Sequence, residues 1–418
     1  MADEKPFTKL VIENVRCFGK TEVPLHPRVT VVIGENGTGK TTVAEALASM
    51  SYGEGEGLAE FPLRHGAKKG RIALYEAGSK KPAAVWAVGA KEERRRLALE
   101  RWLFAYGRYR RVRFLDDQEI QQDLSADPLA RRTLTLTRPD NHLLRDITAA
   151  LIKLHRRRSF EPAADATWRS LEGSLPVLGH GLDGLEVVEL DSSPEVIVVR
   201  SGVRLSFAEL SDGYQAMLVI VFDLIFRFFA LFADLENPLK GKALIVIDEI
   251  DLHLHPRWQR RVLSQLSSLF PQVQLVVTTH SPAIVQGAID QGFLVAVLRE
   301  TSGLVEALPL DSDATDAMRH AEIGSLLMED RLFNMPSRYS LLIEAEEREV
   351  RMLREKLEKG QASEPDRLRL IEIFDRLELL LAKDEERRGQ GPFLSELARS
   401  EIAFLRRLDA MAKAKGGK

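Results

Sequence analysis

A single cysteine, Cys17, occurs in this 418-residue chain. An intrachain disulfide is therefore excluded, and a small buried side chain is the plain reading of Cys17. Net charge is also scarce: 59 lysines and arginines against 62 aspartates and glutamates leave −3. No global positive field draws such a chain to nucleic acid or to an anionic membrane, so any contact of that kind has to come from local patches. The opening residues Met1-Ala2-Asp3-Glu4-Lys5-Pro6 carry charges where a signal peptide needs an apolar core, and a cytoplasmic protein is expected. Internal repeats, a heptad seam and low-complexity tracts are missing too.

One apolar run, residues 216–235, has the length of a membrane span. Asp223 and Arg227 interrupt it four residues apart, where they can pair along one helix face. A charge at a bilayer centre costs a few kcal/mol or more, roughly. The run is read as a buried core helix, and no membrane partner is expected. The composition, 44% hydrophobic and 29% charged, supplies ample core for a soluble protein. At about 100–200 residues per domain, two or three units are expected.

The most specific stretch is Gly34-Glu35-Asn36-Gly37-Thr38-Gly39-Lys40-Thr41-Thr42. It follows the apolar run Val29-Thr30-Val31-Val32-Ile33 and opens a helix-like run. Strand, glycine-rich loop, Lys-Thr and helix make a phosphate cradle. The glycines let backbone N–H groups turn inward around an anion, and the helix adds its positive N-terminal end. Lys40 reaches the β- and γ-phosphates, and the Thr41 hydroxyl holds Mg²⁺. The expected ligand is a nucleotide.

Beyond the cradle, phosphoryl transfer to water needs a metal-holding carboxylate, a residue that aims the water and a γ-phosphate sensor. The apolar run Ile245-Val246-Ile247 ends in Asp248-Glu249, which supplies the first two. Asp248 holds Mg²⁺ and Glu249 orients or deprotonates the water. His280 ends the next apolar run, before Ser281-Pro282, which reads as an N-cap followed by proline at the first helical position. That puts its imidazole at the carboxyl edge of the sheet, where ligands bind. Leu210-Ser211-Asp212-Gly213-Tyr214-Gln215 precedes a strong helix over 213–232. Ser211 offers a hydroxyl, Gly213 close backbone approach, and the helix its N-terminus.

Continuous apolar strands separated by helices predict a parallel sheet buried on both faces. Strands are also expected at 71–75, 83–88, 103–106, 185–190 and 196–199. Helices are expected near 143–154, over 256–269 and from 281. Residues 162–184 read as a surface excursion. After about 310 charged helical patterns take over, with candidate helices at 339–357, 365–381 and 393–411; Ile371, Phe374, Leu377 and Leu381 share a face of the second.

In this order the motifs resemble the ABC-type ATPase heads, on the RecF/SMC/Rad50-like and OLD-like branch. The opening Leu10-Val11-Ile12-Glu13-Asn14-Val15-Arg16-Cys17-Phe18 looks like that branch's first strand, and Asp248-Glu249-Ile250-Asp251-Leu252-His253-Leu254-His255-Pro256 is similar to its Asp-Glu…Leu-His-Pro stretch. Retron-associated and Septu-type anti-phage ATPase subunits look alike, and Tyr106-Gly107-Arg108-Tyr109-Arg110-Arg111 is similar to a Tyr-Gly…Arg stretch in several of them. The resemblance covers roughly residues 8–300.

It implies an α/β P-loop ABC-type head over 1–310, with a mainly parallel core sheet, an antiparallel β subdomain and a helical or irregular insertion at about 110–200. A helical C-terminal domain follows over 311–418. Two heads sandwich two ATPs, each held by Lys40 of one copy and by Ser211 and Gly213 of the other, with Asp251 in the loop crossing that interface. Lys40 and Glu249 then face one triphosphate from adjoining strand tips. Gln118 is the candidate metal-side glutamine, in competition with Gln121 and Gln122.

Asp212 and Tyr214 stand where transporters carry Gly and Gln, which speaks against a transporter's ATPase. The interval from Lys40 to Leu210 is too short for a coiled-coil arm, and one cysteine cannot form a zinc hook. His253 and His255 alternate with no third ligand nearby and are not read as a metal site. Arg108, Arg110, Arg111 and Arg113 interleave with Tyr106, Tyr109 and Phe114, and His155-Arg156-Arg157-Arg158 forms a second basic cluster. Either suits DNA, or a salt-bridged surface. The reading is a homodimeric ATPase switch in DNA repair or phage defence, of dimeric or higher assembly, controlling a separate effector such as a nuclease. The alternative is a nucleotide-gated scaffold that sequesters a toxic partner with little hydrolysis.

Overall fold

The computed structural model describes residues 5–51, 61–89, 102–108, 147–179, 182–189 and 194–319, most of 321–333, and scattered residues between 349 and 373. The chain opens with β1 (Phe7–Val15), β2 (Phe18–Pro24), β3 (Val29–Gly34), α1 (Lys40–Ala48), β4 (Gly70–Glu76), β5 (Ala84–Val88) and β6 (Leu103–Tyr106). It continues with α2 (Ile147–Arg157), α3 (Pro162–Leu178), β7 (Leu182–Glu189), β8 (Pro194–Arg200), β9 (Val203–Ser206) and the long α4 (Asp212–Leu231). Then come β10 (Leu244–Ile247), α5 (Pro256–Gln259), α6 (Val262–Leu269), β11 (Gln274–Thr278), α7 (Pro282–Asp290), β12 (Leu294–Thr301), β13 (Leu304–Pro309), α8 (Ser312–Arg319) and α9 (Ile323–Met328).

The central sheet runs β13-β12-β3-β11-β10-β6, parallel throughout except for the antiparallel edge strand β13. Alternation along its strands divides the interior in two. Val29, Val31 and Ile33, with Ile245, Ile247, Leu275 and Val277, face the core that contains α4. Val32, Leu244, Val246 and Val276 face the other core, with α1 and the antiparallel sheet β2-β1-β4-β5. Because successive strand side chains point to opposite faces, a sheet covered on both sides needs apolar residues without interruption. That is the physical source of the unbroken runs in the sequence. The two sheets are joined at the start of β11, where the buried Gln274 side chain accepts from the Phe7 amide (2.9 Å) and donates to the Phe7 carbonyl (2.7 Å). A third, antiparallel sheet orders β7-β8-β9.

Helix α4 is the one described helix long and apolar enough to cross a membrane, and it is a core element here. Arg227 Nε donates to Asp223 Oδ2 at 2.7 Å, one turn away, and both side chains are buried. The Tyr106 hydroxyl donates to the same carboxylate oxygen, also at 2.7 Å. Burial and then the Asp223 charge hold the Tyr106 phenol well above its ordinary value, so it stays a donor.

Four elements depart from the sequence expectations. Residues 162–178 are not a surface excursion but the helix α3, begun by Pro162 at its first turn. Ala164, Trp168, Leu171, Leu175 and Leu178 line one buried face at helical spacing, a period obscured by Gly173 and Pro176. The expected helix 256–269 is two pieces, because the chain tightens at Arg261, whose amide bonds to the Trp258 carbonyl, while Arg260 reaches Asp290 on α7 at 3.0 Å. Strands β12 and β13 were not anticipated, although Leu294-Val295-Ala296-Val297-Leu298 is as apolar as its neighbours. The first compact unit, Met1–Phe333, extends past the expected boundary at 310, since α8 and α9 pack on α7.

In the second unit, Asn334–Lys418, Arg369 pairs with Glu349 (2.8 Å) and Lys356 with Asp366 (2.9 Å). Ile371, Phe374, Leu377, Leu381 and the expected helix 393–411 lie outside the described residues.

Replacing Asp223 with Ala leaves the Arg227 guanidinium buried without its carboxylate. Chemical denaturation of Asp223→Ala is expected to give a loss of about 3–5 kcal/mol, the usual result of removing one partner from a buried pair.

Candidate functional site

The loop after β3 and the first turn of α1 form one wall of a cleft, at the residues expected to cradle phosphate. Gly39 caps α1 in the left-handed region, φ 93°. A Cβ there would lie 2.6 Å from the Phe18 ring, so a side chain is excluded by strain and by space. Thr38 is buried and its hydroxyl donates to the Glu35 carbonyl at 2.9 Å, which closes the loop. The Lys40 ammonium donates to the Gly34 and Glu35 carbonyls, at 2.8 and 2.9 Å. It is thus held across the loop. Burial pulls its pKa below the ordinary lysine value, against the opposing charges of Asp248, Glu249 and Asp251.

The carboxylates follow β10. Asp248 is buried and accepts two hydroxyl bonds: from Thr41 to Oδ2 at 3.1 Å, and from Thr278 to Oδ1 at 2.6 Å. The Asp248 amide donates to the Tyr106 carbonyl at 2.8 Å, continuing the ladder between β10 and β6. The next residue, Glu249, takes a left-handed backbone (φ 49°), and its amide donates to the Thr278 hydroxyl at 2.8 Å. The strand tips of Lys40 and Glu249 do not adjoin, because β11 lies between β3 and β10. Thr278 fills that gap. Sequence reading missed it, although a polar Thr278-Thr279 pair at the end of an apolar strand is a visible signal.

His280 follows directly on β11. Ser281 caps α7, its hydroxyl accepting from the Ala283 and Ile284 amides, with Pro282 at the first position, as the sequence predicts. Partial burial, and then Lys40, lower the His280 pKa. Both effects favour the neutral imidazole, which can donate one N–H. A cleft of about 360 Å³ gathers these groups, lined by Asn36, Gly37, Gly39, Lys40, Thr41, Thr42, Asp248, Glu249, Thr278 and His280. Arg16 and Cys17, after β1, also line it. Arg16 donates to Thr42 at 3.0 Å and pairs with Glu45, both on α1.

Asp251 is set beside the cleft by Thr279, whose hydroxyl donates to its carboxylate at 2.6 Å. Ser211 is the N-cap of α4, exposed and with no side-chain capping bond; Gly213, two residues on, is buried. Neither lines the cleft of its own chain. Gln118, Gln121 and Gln122 lie outside the described residues, as do Tyr109, Arg110, Arg111, Arg113 and Phe114.

The second basic cluster is neutralised in place. Arg156 pairs with Glu189 (3.1 Å), Arg157 with Glu161, and Arg158 with Asp165 (3.4 Å), while the His155 ring stands edge-on to Trp168 at 5.0 Å. Carboxylates this close reduce the field available to a phosphate backbone, so the salt-bridged reading fits residues 155–158 better than DNA contact does.

Chemically, Thr41 and Asp248 offer converging hard oxygen ligands, which fit Mg²⁺. Lys40 and the loop amides suit phosphates.

Two family descriptions match the chain: "AAA domain" over residues 9–154, and "AAA domain, putative AbiEii toxin, Type IV TA system" over residues 198–286. The chain is 28% identical over 180 residues to the retron Vc95 probable ATPase of Vibrio cholerae serotype O1 biovar El Tor, covering 41% of this chain and 35% of the relative. It is 39% identical over 104 residues to the retron Ec83 probable ATPase of Escherichia coli, covering 25% and 19%. It is 25% identical over 286 residues to the Septu protein PtuA of Bacillus mycoides (strain KBAB4), covering 65% and 36%. The matches thus span between 19% and 36% of these relatives' own lengths. Among solved structures, an SMC head bound to the C-winged helix domain of ScpA aligns at 17% identity and a TM-score of 0.45, covering 74% of this chain and 99% of that one. Two stretches of the chain thus match AAA-domain models, and parts of it are similar to the retron probable ATPases and to Septu PtuA.

Lys40→Ala is expected to weaken ATP binding by about 10–100-fold, the worth of a charge-assisted hydrogen bond to phosphate, in calorimetric titration. The His280 shift has a sign that stability measurements can read. Its folded pKa is lowered, so the unfolded chain takes up the proton first as pH falls. The stability that neutral His280 contributes is present above about pH 6.5 and is lost below it. His280→Asn should flatten that slope in denaturation midpoints compared between about pH 7.5 and about pH 5.5.

Proposed function

We propose that this chain is a Mg²⁺-dependent ATPase that closes as a head-to-head dimer and works as a nucleotide-driven switch in anti-phage defence or DNA repair. The observation that carries the reading is Asp248 bonded to Thr41, with Lys40, Glu249 and His280 lining the same cleft. Lys40 and the loop amides bind the triphosphate, and the loop glycines keep that approach open. When bound, the metal supplies charge neutralisation at the β- and γ-phosphates. Thr41 and Asp248 are the groups to hold it, and Thr278 fixes the Asp248 rotamer by occupying its second oxygen. Glu249 orients or deprotonates the attacking water, and neutral His280 donates a hydrogen bond toward the γ-phosphate.

Ser211 and Gly213 sit outside the cleft of their own chain, which supports a role on the nucleotide of a second copy. Asp251 belongs to that same interface in this reading. The relatives named as retron ATPases and as Septu PtuA support the defence context. A separately encoded effector, such as a nuclease, fits a switch of this kind. Contact with DNA falls to the 108–113 stretch rather than to residues 155–158.

Glu249→Gln is expected to lower turnover by about 10²–10⁴-fold, the range for a lost catalytic base. ATP-induced dimers, followed by light scattering, should persist. Equal turnover of wild type and Glu249→Gln would remove the catalytic role of Glu249 and favour the scaffold that sequesters a partner.

A further inference from the structure

We infer that Arg200, Tyr214 and Trp258 clamp the start of α4 to the turn after Asp248-Glu249, so that the two move as one part, with Tyr214 and Trp258 as positioning residues for Ser211. The Tyr214 and Trp258 rings meet edge to face, with centroids 3.9 Å apart. The Arg200 guanidinium, at the end of β8, lies over the Tyr214 ring at 4.9 Å. Three elements distant in sequence therefore converge on one aromatic ring beside Ser211. Edge-to-face pairing and a cation over a ring face both hold a defined geometry, because each aligns the ring quadrupole with a partner charge.

The backbone beneath the clamp is equally close. A Cβ on Gly213 would lie 2.2 Å from the His253 carbonyl oxygen. His253 itself is left-handed, φ 67°. The glycine is thus required by contact within the chain, besides any approach to a nucleotide. Tyr214, which departs from the transporter pattern, supplies the side chain that keeps this contact shut.

The turn is fastened on its other side to the strand end that carries His280. Thr279 donates to the Asp251 carboxylate at 2.6 Å. The Gln259 amide donates to the Leu254 carbonyl at 2.9 Å and accepts from the Ser281 hydroxyl at 2.7 Å. One packed path runs from His280 and Glu249, through residues 251–259, to Ser211. In the head-to-head reading, on which this last step rests, Ser211 meets the partner's nucleotide. Its engagement then bears directly on the geometry of Glu249 and His280 in its own chain.

The test uses the full chain and two substitutions. Tyr214→Leu keeps apolar bulk without the ring, and Tyr214→Phe keeps the ring. Hydrogen exchange without nucleotide reads the clamp alone. Tyr214→Leu should speed exchange at residues 251–255 by about tenfold, the combined worth of the ring pair and the cation contact. Amides of β10 and β11 should stay protected as in wild type, and Tyr214→Phe should match wild type throughout. With Mg²⁺ and ATP, Tyr214→Leu should lower kcat about tenfold with KM within about twofold. Unchanged exchange at 251–255 in Tyr214→Leu overturns the clamp, and so does faster exchange spread over β10 and β11, which marks a general loss of structure. If exchange changes as expected but wild type forms no ATP-driven dimer, the clamp stands and the head-to-head reading fails by itself.

Discussion

The Asp248 carboxylate accepts hydroxyl hydrogen bonds from two directions, from Thr41 at the head of α1 and from Thr278 at the end of β11. Through those two bonds, three strands that carry separate motifs share one set of coordinates. Thr278 has a second duty, since its oxygen accepts the Glu249 amide and so sets the start of the turn that follows. The two hydroxyls hold the carboxylate in one orientation, and Lys40 lines the same cleft.

This arrangement needs strands that do not shift, and the two cores on either side of the central sheet provide that. Each of β3, β10 and β11 contributes side chains to both cores. A slip of one residue would exchange the faces and expose the wrong set to each layer. Gln274 pins the other end of β11 to β1, so the strand that carries Thr278 is fixed at both ends. Helix α4 closes one core with a long apolar surface; fully burying one of its phenylalanines contributes about 1.5–3 kcal/mol. Its buried ion pair, Asp223 with Arg227, is satisfied in part by Tyr106, the residue whose carbonyl receives the Asp248 amide.

Much of this was legible from residue order. The glycine-rich loop, Asp248-Glu249 and His280 are short motifs near strand ends that line one cleft, and Ser281-Pro282 caps α7 as local pattern predicts. That the apolar run from residue 216 forms a core helix was legible as well, from the spacing of Asp223 and Arg227. What escaped was of two kinds. Helix α3 was hidden because glycine and proline within it lower local helix preference, while its burial of Trp168 and Leu171 overrides that preference. Thr278 and Gln259 were hidden because a threonine or a glutamine carries no signal until its partner is known. Residues 155–158 are the reverse case: a basic cluster in sequence whose charges are met by Glu161, Asp165 and Glu189 in space.

The sequence by itself determined the chemistry on offer: a glycine-rich anion cradle, paired acids after one apolar strand, a histidine after another, and a serine at a helix start. These are local properties, set by side-chain type, backbone freedom and periodicity within a few residues. Only the tertiary structure decided which of them meet. The strand order places β11 between β3 and β10, so Thr278 joins Asp248 to Glu249. It also closes Gly213 onto His253 and turns Ser211 away from the cleft of its own chain. Strand order and helix docking are settled by how buried faces fit together across long separations, and no window of sequence contains that information.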